Sequence, residues 1–220
     1  MDAIECIMTR MSIRKFKPEP VPKKVLEEVI STAMWSPSYK NTQPWEVIVV
    51  SGKKKDELSE MLVGLIEGNE PITPDIPEPK KWPEVQQTRI NELFDLRCKQ
   101  FGIDLSDPAV VKNAKIANSR FYGAPHGIFL LQESSLTAWS IFDIGLFAQS
   151  LMLAAHAKGL GTVPQAFLID YAKQIKSFLQ IPETKRLVLG ISIGYPDMNA
   201  PINQFRTPRA SISEIVRWIE

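Results

Sequence analysis

Apolar side chains recur along this chain in two rhythms, and their order predicts an alternation of helices and short strands. Residues 3–10 place Ile4, Ile7 and Met8 on one helical face. Pro22 then stands near the first turn of a second helix, where its missing N–H costs nothing; Val25, Leu26, Val29, Ile30 and Ala33 follow at helical spacing. The run 45–50 is almost wholly apolar and rich in β-branched residues, which predicts a buried central strand. Ser51-Gly52 turns the chain into a surface helix over 53–66, with Leu58, Met61, Leu62 and Leu65 inward.

The pattern breaks at Asn69. Prolines at 71, 74, 77, 79 and 83, mixed with charges, exclude regular structure there and predict a segment running over the surface. A helical rhythm returns over 85–101 with Ile90, Leu93, Phe94 and Leu96, and Ser106-Asp107-Pro108 signals the capped start of another helix. Residues 67–120 thus read as a proline-led helical excursion within a single domain spanning 1–220. Strands are expected over 126–132, 162–167 and 186–193, and helices over 139–158, 170–179 and 212–219. The helix over 139–158 is apolar around most of its circumference, so protein must wrap it on most sides, and in a chain this short a partner subunit is one candidate source of that cover. Strands and helices alternate only in part, which argues for an α+β fold with helices on a mixed central sheet.

Composition narrows the function. The 26 basic and 25 acidic side chains nearly cancel, so no bulk field points to nucleic acid or an anionic membrane. An anionic ligand must be held by a local cluster. Cys6 and Cys98 are the only cysteines, which suits free thiols in a reducing, cytoplasmic setting. The two histidines, His126 and His156, show no metal-ligand spacing, and no G-x-S-x-G is present. The opening residues lack the basic n-region of a signal peptide. The apolar run 141–155, broken by Asp143 and Gln149, is too short for a bilayer span.

Three stretches carry candidate chemistry. Arg10, Ser12 and Arg14 alternate, so on an extended strand all three face one way, and arginine forks with a serine hydroxyl suit phosphate. The same residues also fit a basic helix terminus that satisfies its own carbonyls. Phe205-Arg206-Thr-Pro-Arg209 sets two arginines around a stiffening proline, either as a cationic clamp or as a solvated tail. Gly159-Leu-Gly-Thr162 with Pro164-Gln165-Ala166 gives backbone close access to a flat ligand, or simply caps a helix. Ser36-Pro-Ser-Tyr-Lys-Asn-Thr-Gln-Pro-Trp45 adds hydroxyls and amides on a backbone held by two prolines. No G-x-G-x-x-G follows a strand, so a Rossmann site is unsupported.

Taken in order, these stretches resemble the nitroreductase family of FMN-dependent oxidoreductases over nearly the whole chain. Further motifs in register are Phe121-Tyr-Gly-Ala-Pro125, Asp143-Ile-Gly with Gln149 and Leu153-Ala-Ala155, and Gly194-Tyr-Pro-Asp197 with Asn203. The middle insertion is most similar to the branch that includes nitrobenzoate reductases. The resemblance implies an intertwined α+β homodimer with FMN at the subunit interface. It also implies ping-pong electron transfer from NADH or NADPH to an electron-poor acceptor such as a nitroaromatic or quinone. Carried onto this sequence, Arg10 and Ser12 hold the FMN phosphate and lower ribityl chain with the Met11 backbone alongside, and Arg14 lies near the N1–C2=O edge. Pro37, Ser38 and Asn41 reach the cofactor from the partner subunit, Pro164, Gln165 and Ala166 pass their backbone near N5, and Arg206 and Arg209 close over the phosphate. The chemistry resides in the cofactor, so no catalytic side chain is expected. Other members with different acceptors, such as a dehalogenase or flavin reductase, and a flavin-binding protein without turnover remain the alternative expectations. Trp82, Phe121, Tyr122 and Phe205 are aromatic candidates for the acceptor face.

Overall fold

A computed structural model describes residues 2–220. Its four strands are β1 (Glu46–Ser51), β2 (His126–Glu133), β3 (Gly161–Gln165) and β4 (Lys185–Gly194), in spatial order β1-β2-β4-β3. Every neighbouring pair is antiparallel. The expected mixture of strand directions is confined to one isolated parallel bridge, between Ser12 and Thr162.

β2 lies inside the sheet, and its side chains alternate between two cores as the period of a strand requires. Phe129 and Leu131 face a core built with α3 (Gly52–Glu67) and α7 (Ala172–Leu179), through Leu58, Leu62, Ala172 and Ile175. Ile128 and Leu130 face the other, built with α2 (Lys23–Ala33) and α6 (Ala138–Ala157) through Val29, Ala33, Phe147 and Leu151. Helices therefore cover both faces of the sheet. By length and composition alone α6 would suffice to cross a membrane, but its Ile144–Phe147–Leu151–Ala155 stripe is buried in this second core.

Two expectations need correction. The run 45–50 is not a buried central strand: β1 is an edge, paired only with β2 among the described residues, and Val49 stays 38% exposed. A short β-branched run reads the same whether central or peripheral, because pairing is not written in periodicity. The last helix, α8, spans only Ile212–Ile215; Ser211 and Glu214 form a capping box, but Val216 is already extended and the isoleucines find no core. The helix α4 (Glu84–Phe101) forms as expected yet buries none of its residues, with Phe94 and Leu96 exposed.

The proline-rich stretch has no regular structure but is firmly tied down. The Thr73 N–H donates to the Asp170 carbonyl at 2.8 Å. Asp75 accepts from the buried Lys176 ammonium at 3.2 Å and from the Leu187 N–H at 2.8 Å, beside the register shift in the β2–β4 ladder. It leads into α4 and then α5 (Pro108–Ser119), whose N-cap Asp107 accepts from the Ala109 N–H at 2.8 Å as the sequence foretold.

Candidate functional site

The site begins where α1 (Ala3–Thr9) ends. Asp2 caps its first turn, and the Arg10 N–H closes the last one on the Cys6 carbonyl at 3.1 Å. The chain then runs extended beside β3: Ser12 bridges Thr162, and the Ile13 N–H donates to the Thr162 carbonyl at 3.0 Å. Ile13 points into the core over Gly161, where a Cβ would stand 2.7 Å from its Cγ1. Only glycine lets the two segments lie this close.

Asn203 joins the far end of the chain to this segment. It is fully buried, and its side-chain oxygen accepts from the Arg14 N–H at 2.7 Å while its amide donates to the carbonyls of Lys15 and Asp197, each at 2.8 Å. A buried amide so completely bonded fixes its surroundings. The short 3-10 turn Pro201–Gln204 that carries it delivers Phe205 and Arg206 directly beside α1.

A cavity of about 390 Å³ results, with Arg10, Ser12, Arg14, Phe205, Arg206 and Arg209 in its wall. The arginines from the two ends of the chain do meet. Arg206 donates to the carbonyls of Met8 and, at 3.3 Å, Thr9, so it also closes the exposed end of α1. Arg209 folds onto the Thr207 carbonyl at 3.1 Å and hydroxyl at 2.6 Å. Arg10 is different: its Nη1 is buried with no hydrogen-bond partner. Burial, then the charges of Arg209 and Arg206, lower its guanidinium below the ordinary range. Among the described residues no carboxylate pairs with Arg10, Arg14, Arg206 or Arg209. An uncompensated cationic cluster costs folding free energy and suits an external anion.

A second cavity of about 310 Å³ shares Arg10 and Met11 with the first and continues along Ile13, Leu160, Gly161, Thr162 and Met198. Its lining is mostly apolar. His156 borders it, bonded to the Thr9 hydroxyl at 2.9 Å, and burial followed by the charges of Arg10 and Arg206 pushes its imidazole below the usual histidine range. A neutral imidazole there adds no further positive charge.

The remaining expected residues fall in two places. Pro164 and Gln165 follow Thr162, the bridge partner of Ser12, along β3, and Ala166 comes just after the strand ends. The Gln165 side chain is spent inward: it donates to the Asn118 carbonyl at 3.0 Å and side-chain oxygen at 3.1 Å and accepts from the Ser192 hydroxyl. Its backbone is what remains for a ligand. Pro37, Ser38 and Asn41 line neither of these two cavities within one chain. Their loop is nonetheless held rigidly. Lys40, Asn41 and Gln43 all adopt positive φ, the Tyr39 N–H donates to buried Asp143 at 3.2 Å, and the Gln43 N–H donates to the Ser38 hydroxyl at 3.0 Å. Positive φ at three non-glycine residues is backbone strain of the kind that clusters at ligand-facing sites.

Of the aromatic candidates, Phe205 lines the arginine cavity, whereas Phe121 is fully buried beneath Gly127. Tyr122 is half-buried and accepts from the Asn118 amide at 2.7 Å, and Trp82 borders a separate hollow beside Lys81 and Pro83. Two residues escaped the reading of sequence as site members. Asn203 lay in a quoted motif without a role, and Arg97 of α4, on which the charge of Arg14 acts, gave no signal at all within a mostly polar helix.

An α+β fold with an arginine-walled cavity and an adjoining, mostly apolar one suits a ligand that joins a phosphate to an apolar body. The chain belongs to the Nitroreductase family, whose profile matches residues 7–195. It is 37% identical over 213 residues to nitroreductase NfnB of Mycolicibacterium smegmatis, covering 96% of this chain and 90% of that protein. It is 34% identical over 203 residues to a 4-nitrobenzoate reductase of Pseudomonas putida, covering 92% and 89%. Among solved structures, the FMN-dependent nitroreductase NfnB from Mycobacterium smegmatis in complex with NADPH superposes with a TM-score of 0.94 at 36% identity, over 99% of this chain and 98% of that one.

Proposed function

We propose that this chain is an FMN-dependent oxidoreductase that passes electrons from NADPH or NADH to an electron-poor aromatic acceptor, a nitroaromatic in the first instance. The observation that carries this reading is the buried, unpartnered Nη1 of Arg10, which shares a wall without carboxylates with Arg206 and Arg209. A phosphate dianion supplies what that wall lacks: charge-assisted, forked hydrogen bonds to several guanidiniums. Arg10, Ser12, Arg206 and Arg209 hold the phosphate, and the Met11 backbone runs alongside. Arg14 stands at the polar edge of the isoalloxazine, where a guanidinium favours negative charge. The backbone of Pro164, Gln165 and Ala166 orients the ring. When bound, FMN supplies the two-electron redox chemistry. The chain binds, orients and shields it.

Pro37, Ser38 and Asn41 complete the site from a second copy of the chain. Exposed apolar residues support a homodimer: Ile4, Ile7 and Met8 on α1, Trp35 at 90% exposure after α2, and Trp139 and Phe142 on α6. Large apolar groups gathered on the surface mark an association face. The whole chain acts as one domain, with 67–120 as an excursion beside the site. Its two free cysteines suit the cytoplasm.

The test is an absorption spectrum of purified protein, followed by anaerobic addition of NADPH or NADH and then of 4-nitrobenzoate. The expected result is a flavin spectrum that bleaches with the donor and returns with the acceptor, and parallel double-reciprocal lines in steady state. A colourless protein that takes up no FMN, or a flavin that neither donor bleaches, overturns the reading.

A further inference from the structure

One guanidinium near the site has no duty in the phosphate cluster. Arg97 lies on α4, one turn before Phe101, and the two grip the same ring of Phe205. The Arg97 Cζ stands 5.7 Å from the Phe205 centroid, and the Phe101 ring meets Phe205 edge-on at 5.8 Å. Phe205 itself forms part of the arginine cavity wall, so Arg97 stands at its margin. Burial, and after it the charge of Arg14, lowers the Arg97 guanidinium below its ordinary range. Among the described residues Arg97 forms no ion pair.

A half-buried cation repelled by a neighbouring cation is a poor choice if packing on Phe205 were its purpose. Methionine or leucine would cover the ring without the charge. The guanidinium stands over an aromatic ring, and among the described residues its donors meet no acceptor, which leaves a fork free for an anion not supplied by the chain. In the reading above, the phosphate is already met by Arg10, Arg206, Arg209 and Ser12 of the cavity wall. A single planar fork matches a single planar carboxylate.

We propose that Arg97 is a specificity-determining residue that binds the carboxylate of an anionic aromatic acceptor, so that this enzyme prefers nitroaromatic acids over neutral nitroaromatics. The inference rests on the oxidoreductase reading above and deepens it. The 2′-phosphate of NADPH is the other anion within the same chemistry, and the experiment separates the two.

The measurement is steady-state kinetics of the FMN-loaded enzyme with 4-nitrobenzoate and its neutral near-isostere 4-nitrobenzamide, for wild type, Arg97→Met and Arg97→Lys, with bound FMN quantified in each. In Arg97→Met the ratio of kcat/KM for the acid to that for the amide falls roughly tenfold or more, as expected for losing a hydrogen-bonded charge pair. The loss lies in KM for the acid, Arg97→Lys falls between, and the NADPH-to-NADH preference holds. An equal loss with both acceptors assigns Arg97 to packing and overturns the proposal. So does a changed NADPH-to-NADH preference with the acceptor ratio intact. A wild-type protein that binds FMN but shows no preference for the acid overturns the proposal alone; one that turns over neither compound overturns the oxidoreductase reading with it.

Discussion

Arg10 is held in the fold at a cost, since nothing in the chain answers its buried Nη1. Replacing an unpaired buried charge with an apolar side chain of similar length removes that cost. Arg10→Met is therefore expected to raise the stability of the FMN-free protein by about 1 kcal/mol or more while weakening FMN retention. Urea unfolding of the stripped protein, beside the flavin content of the purified one, checks both halves. Arg206→Met differs, because Arg206 also serves the Met8 and Thr9 carbonyls, and loses stability as well as cofactor. A second prediction concerns Asp170, whose carboxyl is raised from 3.8 to about 6, by burial first, with Lys115 opposing and Glu78 assisting. Between those values the native state keeps a proton that the unfolded chain has lost, so stability falls as pH rises through the window and stays lowered above it. Asp170→Asn keeps the backbone carbonyl that receives Thr73 and should gain about 1–3 kcal/mol near neutral pH, a gain that vanishes toward the unfolded pKa. A pH-independent difference would contradict the assignment. Arg10, Arg14, Arg206 and Arg209 could be singled out in the sequence because each pair sits in a short motif, although neither motif alone told a ligand clamp from a helix terminus or a solvated tail. Arg97 was not, because its meaning comes only from Phe205, more than a hundred positions away.

At the level of elements, the strand-like segment 10–14 is positioned by two devices, Gly161 beneath Ile13 and Asn203 at its end. Gly161→Ala forces a methyl to within 2.7 Å of Ile13, a core side chain in a full cluster. It is expected to destabilise the fold by about 1–3 kcal/mol and to lower FMN affinity by shifting the arginines, without touching any of them. Thermal unfolding and flavin titration together test this, and unchanged flavin affinity at reduced stability would separate the glycine from the site. Helices with a strong period were readable: α2, α3 and α6 start and stop within a few residues of expectation. So was the Asp107-Pro108 start of α5, since a cap is a local device. The edge position of β1 was hidden, because its β-branched run answers equally to burial by a sheet or by a subunit. The helix expected over 212–219 stopped at Ile215, because amphipathic spacing cannot sustain a helix that has nothing to pack against within the chain.

At the scale of the whole molecule, the chain exposes its largest apolar groups on α1, after α2 and on α6, and holds the 38–43 loop in a strained, hydrogen-bonded form away from the arginine cavity. The second copy proposed above would account for both. Sedimentation should give a dimer at micromolar concentration, and Trp35→Glu should dissociate it and release FMN together. Dissociation with flavin retained would place the whole site in one subunit. That two ends of the chain build one phosphate pocket is the claim on which the rest depends. Its most direct test is a fluorescence titration of the flavin-free protein with FMN and with riboflavin, which lacks only the phosphate. Charge-assisted bonds to several arginines predict FMN binding at least about a hundredfold tighter, with the gap shrinking by roughly tenfold or more in Arg10→Met. Equal affinity for the two flavins would contradict the account.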